Sequence, residues 1–136
     1  MTSGVFTAGV RTECVAITQA QLGVVIDVDD SATGLITGSS NAFNVDPGVL
    51  DHFRFETQPV GPYIAGTGIA VRIWAEDQFN NVMTGYTTGV GISDSTGTIG
   101  EGAPGSGDTI ITFNNGIYNN ALAPTLFITQ SAVGIQ

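Results

Sequence analysis

Five carboxylates are the residues best suited by type to chemistry. Asp27, Asp29 and Asp30 form one cluster, and Glu76 and Asp77 form another. Oxygen ligands of this kind suit calcium, usually with backbone carbonyls added. The spacing is not that of an EF-hand loop, and acidic loops are commonly just solvated, so calcium stands as one expectation beside that plainer one. Asp46 and Asp51 flank Pro47-Gly48, where an ion would stiffen a joint and where turn and strand-start residues also belong. Other chemistries find less material. His52 is the only histidine, and one histidine without clustered cysteines makes no zinc site. No Ser/His/Asp set has an order that implies catalysis. Carboxylate pairs come free in an acidic chain. The Gly-rich run Gly97–Gly107 lacks the lysine and the strand-to-helix setting of a phosphate loop. No enzymatic activity is expected, and no cofactor beyond calcium.

The composition narrows the partners. The 136 residues carry a net charge of −9, from 12 acidic residues against Arg11, Arg54 and Arg72, with no lysine. Such a surface repels nucleic-acid phosphates and anionic lipid heads. No apolar run approaches the ~20 residues of a membrane span. Met1-Thr2-Ser3-Gly4 does not open a signal peptide. Neither nucleic-acid binding nor membrane insertion is expected. Cys14 stands alone among apolar neighbours, so no intrachain disulfide forms. It reads as a small packed hydrophobe, with an interchain bridge as the sharper alternative.

The elements that must position these residues are strands. Glycine is abundant (19 copies) and Val, Ile, Thr and Phe alternate between Gly, Asn, Asp and Ser clusters, a mixture that favours an all-β fold. Val5–Thr18 reads as one or two strands broken near Ala8-Gly9. Gly23–Asp29 reads as a strand with Val24, Ile26 and Val28 on one face, and Asp30–Gly38 as a turn region. Ser40–Val45 puts Phe43 and Val45 on one face. After Pro47-Gly48, Leu50–Thr57 restarts the pattern. Pro59 and Pro62 suit a bulged edge and a turn within Gln58–Gly68. The clearest strand alternates Ile69, Val71, Ile73 and Ala75 with Ala70, Arg72, Trp74 and Glu76. A loop over Glu76–Asn81 follows. Val82–Ser93 holds further strand, Ser95–Gly107 is a loop with a short strand near Thr98-Ile99, and Thr109–Phe113 is a strand. Asn114-Asn115-Gly116 signals a tight turn. Trp74, at an outward position, is either covered by a neighbouring segment or a contact to another repeat.

The chain also repeats itself. Gly4-Val5-Phe6-Thr7-Ala8-Gly9-Val10 parallels Gly116-Ile117-Tyr118-Asn119-Asn120-Ala121-Leu122. Ile17-Thr18-Gln19 through Val24 parallels Ile128-Thr129-Gln130 through Ile135. The offset is 112 at Gly4/Gly116 and 111 at Ile17/Ile128. A period near 111 is too long for a solenoid turn and suits one sandwich domain of about 100 residues.

Three stretches together carry a family resemblance. Ser39–Phe53 resembles the last strand of one tandem bacterial immunoglobulin-like repeat, of the Big or invasin type, running into the first strand of the next. Ala75–Tyr86 resembles that family's loop after its second strand, and Ile111–Gly116 the entry to its fifth. The resemblance implies an immunoglobulin-like Greek-key β-sandwich of seven strands, used as a spacer, stalk or building block on the cell surface or outside the cell, as in adhesins and filaments. It brings no catalytic residues. In its terms residues 1–46 hold the C-terminal strands E, F and G of one repeat, and 47–136 hold strands A to E of the next. Strands F and G then come from the N-terminal segment, by permutation within the chain or by strand exchange with a copy. The expected interface is Val24, Ile26, Val28, Phe43, Val45 and Trp74, and the expected partners are copies of the chain or adjacent repeats. The five carboxylates would converge at one pole of such a sandwich. A carbohydrate- or ligand-binding module of an adhesin is the second expectation, which clustered exposed aromatics would favour.

Overall fold

Among the described residues every regular element is a strand, and each strand is short. The computed structural model describes residues 6–30 and 32–129. The chain divides into two units, Met1–Asp46 and Pro47–Gln136, with the boundary at the Asp46-Pro47 bond.

The first unit holds β1 (Gln21–Val24), β2 (Asp27–Asp29), β3 (Thr37–Ser39) and β4 (Phe43–Val45). β1 pairs antiparallel with β4, matching Gln21 to Val45 and Val24 to Phe43. β2 pairs antiparallel with β3, matching Asp27 to Ser39 and Asp29 to Thr37. Both pairings close within residues 21–45. The predicted single strand Gly23–Asp29 is two. Gly23 sits at φ +68°, a left-handed conformation cheap only for glycine, and the ladder with β4 shifts register across Gln21–Val24. β3 begins inside the stretch read as a turn and ends just past it. The predicted strands over Val5–Thr18 do not form among the described residues. Thr7 and Val10 close a two-residue turn through Ala8 (φ +52°) and Gly9 (φ +77°), and residues 11–18 have no strand. Gly4, Val5 and Gln130–Ile135, which belong to the repeat, lie outside the described residues.

The second unit holds β5 (His52–Thr57), β6 (Gly68–Ile69), β7 (Arg72–Glu76), β8 (Gly89–Gly91), β9 (Ile99–Glu101), β10 (Ile110–Thr112), β11 (Ile117–Asn119) and β12 (Leu126–Ile128). One sheet has the order β11-β7-β5, a second has β6-β12-β9, and β8 pairs with β10. All pairings are antiparallel. The chain leaves one three-stranded sheet after Ile69 and enters the other at Arg72, so Ala70-Val71 is a crossing between sheets. The alternation read from the sequence holds across it. Ile69, Val71, Ile73 and Ala75 are all buried, and with Ile111, Phe113, Tyr118 and Leu126 they make the core. Phe113 sits among aromatic rings, 5.3 Å from Phe53, 5.5 Å from Tyr86 and 6.4 Å from Tyr118, spacings at which offset and edge contacts add to burial. The Asn-Asn-Gly turn forms as predicted. Asn115 (φ +49°) and Gly116 (φ +77°) join Asn114 to Ile117, and a Cβ at Gly116 would lie 2.5 Å from the Met83 carbonyl oxygen.

Candidate functional site

In the first unit, polar side chains knit the backbone while apolar ones are left open. The Ile26 N–H donates to Ser40 Oγ at 2.9 Å, and the Gly23 N–H donates to Asn44 Oδ1 at 3.1 Å. The Ser39 hydroxyl donates to Asp27 Oδ1 at 2.6 Å. Asp30 closes the β2–β3 loop, accepting from the Thr33 hydroxyl and, at 3.1 Å, from the Ile36 N–H. Those donors, Thr33 first, hold its carboxyl below the ordinary range. Val24, Ile26, Phe43 and Val45 of the expected interface are half-buried, but Val28 is 64% exposed, with Leu22, Leu35 and Ile36 more open still. Among the described residues of this unit none is fully buried. Paired strands usually hide one face against another layer.

In the second unit, one face of the β11-β7-β5 sheet carries the only histidine, the only tryptophan and two of the three arginines. Strand periodicity puts His52 opposite Glu76 and Arg54 opposite Trp74. The Arg54 guanidinium donates to both Glu76 oxygens, at 2.9 and 2.7 Å, and His52 Nε2 lies 3.3 Å from Glu76 Oε2. Glu76 is fully buried, and a buried carboxylate stays charged only with such partners. The hydrogen bond from Arg54 outweighs burial and lowers its pKa. The guanidinium carbon of Arg54 sits 4.5 Å from the centre of the Trp74 ring and that of Arg72 5.6 Å, within cation–π reach. Arg72 also reaches Glu56 at 3.8 Å. The Nε1 of Trp74 and the Nε of Arg72 are buried with no acceptor among the described residues.

Asp77 begins the next loop and is buried as well. Its Oδ1 accepts from the N–H groups of Phe79 (2.8 Å) and Asn81 (3.0 Å), and its Oδ2 from the Gly48 N–H (2.8 Å). The Asn81 amide donates to both oxygens. Burial pushes the Asp77 carboxyl up, but the Asn81 side chain and these N–H groups outweigh it and hold it far below the ordinary range. Asp77 thus ties the loop after β7 to the residue following Pro47.

Four of the five carboxylates weighed for calcium, Asp27, Asp30, Glu76 and Asp77, therefore hold protein partners. Asp27, Asp29 and Asp30 belong to one unit, and Glu76 and Asp77 to the other. Glu76 and Asp77 already accept two or more hydrogen bonds on every oxygen or hold a guanidinium. Among the described residues no group of three or more His, Cys, Asp or Glu side chains is placed to hold a metal ion.

Two polar residues that organise the second unit escaped the sequence reading. Asp94 accepts from the Thr96 hydroxyl and from the N–H groups of Thr96, Thr98 and Ile99, and the Thr96 hydroxyl leads the set that brings its pKa down to about 2. The Asp-Ser-Thr-Gly-Thr spelling was the available signal, since short acceptor side chains capture backbone donors two residues on. Asn120 is buried and meets the crossing at Ala70-Val71. Its Oδ1 accepts from the Val71 N–H at 2.7 Å, and its amide donates to the Ile69 carbonyl at 3.0 Å. Nothing local distinguishes it from Asn119. Comparison with protein-family models, with curated proteins and with solved structures found no match.

Proposed function

We propose that this chain is a structural, extracellular building block of immunoglobulin-like type, whose segment Gly23–Val45 completes a sandwich of the Pro47–Ile128 kind in a neighbouring repeat or a second copy, giving a stalk or filament. The observation that carries the reading is the contrast in burial. The described residues of 6–46 form two hydrogen-bonded strand pairs with no fully buried side chain, and Leu22, Val28, Leu35 and Ile36 are 64–84% exposed. Apolar strand faces of that kind mark interaction surfaces. Strand order adds support. The segments resembling the first, second and fifth strands of the family, β5, β7 and β11, are neighbours in the order β11-β7-β5, and an immunoglobulin-like sandwich places its A, B and E strands together in one sheet. Lending identical elements between copies costs little, and a head-to-tail exchange that does not close makes a filament. The acidic, lysine-free surface fits a solvated setting outside the cell.

Sedimentation of the whole chain over a hundredfold range of concentration, with electron microscopy of the same samples, tests the reading. The expected result is mass rising in multiples of the chain, with elongated particles at the top of the range. Added salt should promote assembly by screening the −9 charge. A monomer at every concentration and ionic strength would overturn self-assembly.

A further inference from the structure

The two copies of the duplicated segment occupy different surroundings. In the C-terminal copy, Tyr118 and Leu126 are core residues and β11 and β12 are paired on both sides of the sandwich. In the N-terminal copy the equivalent residues are Phe6, 60% exposed, and Val15, 66% exposed. Aromatic matches aromatic and aliphatic matches aliphatic, so hydrophobicity alone would let either copy fill the same place. A chain that builds by exchanging strands needs something to tell them apart.

We propose that Asn120 is that specificity-determining residue. It lies between β11 and β12, where its own segment passes from one sheet to the other, and it meets Ala70-Val71, where a second segment makes the same passage. A chain crossing between sheets leaves ladder partners behind. The carboxamide of Asn120 replaces them, since it presents the acceptor and donor of a peptide group to the Val71 N–H and the Ile69 carbonyl. The Asn120 N–H adds a longer bond to the Val71 carbonyl, at 3.3 Å. Ile69 and Val71 are 8% and 2% exposed, so water does not stand in. In the N-terminal copy this position is Ala8. A segment carrying Ala8 in the same place would strand two buried backbone groups without partners, a cost the segment carrying Asn120 does not bear. The following residue sharpens the difference. Gly9 lets the N-terminal copy turn back at Thr7–Val10, whereas its counterpart Ala121 does not favour that left-handed conformation. The N-terminal copy is thereby kept out of the slot of β11 and β12. That leaves Gly23–Val45 as the segment lent to a neighbour.

The inference rests on the strand-exchange reading, and the two fail separately. Cys14 supplies the reporter. It is exposed in the N-terminal copy and, in the register that pairs Val15 with Leu126, aligns with Thr125, which is half-buried. In the full chain, the double substitution A8N/G9A gives the N-terminal copy the Asn-Ala of residues 120 and 121. At high concentration its Cys14 should react with a thiol reagent up to about twofold more slowly than in the unaltered chain, because both copies then present Asn-Ala and share the slot. Dilution should restore the rate, because the slot belongs to another copy. Adding N120A should deepen the protection. Should that triple variant fail to fold, A8N/G9A decides alone, since its slot is intact. A Cys14 that reacts at the unaltered rate in folded A8N/G9A at every concentration overturns the role of Asn120. Absence of concentration-dependent mass in the unaltered chain instead overturns the assembly reading.

Discussion

Strands Gln21–Val24 and Arg72–Glu76 are both drawn from runs of alternating or continuous apolar residues, yet they end in opposite surroundings. Ile73 and Ala75 are 4% and 0% exposed, while every residue of Gln21–Val24 keeps contact with solvent. Both strands pair antiparallel with a neighbour. The difference lies in what faces them. Arg72–Glu76 has Phe113, Tyr118 and Leu126 beneath it, whereas the pairs formed by residues 21–45 are two-stranded. A two-stranded ribbon is marginal in water by itself. Hydrogen bonding sets which strands pair, and burial decides whether the pair is stable.

The sharpest way to break that contrast is to remove a large side chain from each unit. Phe113→Ala should lower the unfolding free energy by about 3–5 kcal/mol, the usual loss for a buried phenylalanine, read from denaturant titration at unchanged m-value. Phe43→Ala should shift the same transition by less than ~1 kcal/mol, but should weaken the concentration-dependent rise in mass by tenfold or more. Equal losses of stability from the two would place a core where the first unit has none.

Removing Arg54 comes next. Arg54→Ala leaves the buried Glu76 carboxylate with His52 alone, and a buried charge without its main partner is costly. The expected loss is smaller than that of Phe113→Ala, because the guanidinium side chain is itself 43% exposed and salt and water soften its contribution. Glu76→Gln together with Arg54→Ala should recover part of it. No recovery would mean that the ion pair is not what Glu76 depends on.

Acid should expose the same dependence across the second unit. Glu76, Asp77 and Asp94 all have folded-state pKa values below their ordinary ones. A carboxyl depressed on folding contributes stability that is fully present above its unfolded pKa and is lost as pH falls. For Asp94 the window runs from its ordinary value of 3.8 down to about 2. Melting temperature should therefore be level near neutrality and fall from pH ~4.5 to pH ~2. Asp94→Asn should flatten part of that slope. A melting temperature that holds to pH 2 would contradict the hydrogen-bond assignments.

These residues mark how far the sequence could be read. The alternation Ile69–Ala75 and the Asn-Asn-Gly turn were legible because each depends on local chemistry: side chains alternate along a strand, and only certain residues accept positive φ. The division of Gly23–Asp29 into two strands was not, since nothing in the apolar run Val24–Ile26 marks where the chain leaves β4 and begins to pair with β3. Asp77 and Asn120 were least legible. What each does is set by partners far away in the chain, Gly48 for one and Ile69 and Val71 for the other, and one sequence does not state which distant groups will meet.

Calcium provides the smallest expected effect. An acid earns a place in a calcium site by offering free oxygen lone pairs, and at Asp77 both oxygens already accept from protein N–H groups. At Glu76 both face the Arg54 guanidinium, which a cation would have to displace. What remains is Asp27, whose Oδ1 takes the Ser39 hydroxyl, and Asp29, exposed on β2. Two such surface carboxylates supply too few of the roughly 6–8 oxygens that calcium takes for appreciable binding at 1 mM. Melting curves in chelator and in millimolar calcium should therefore coincide within about 1 °C. A rise of several degrees would require a site in which Glu76 or Asp77 gives up its present partners, and repeating the melt with Asp77→Asn and Asp29→Asn would identify which cluster holds the ion.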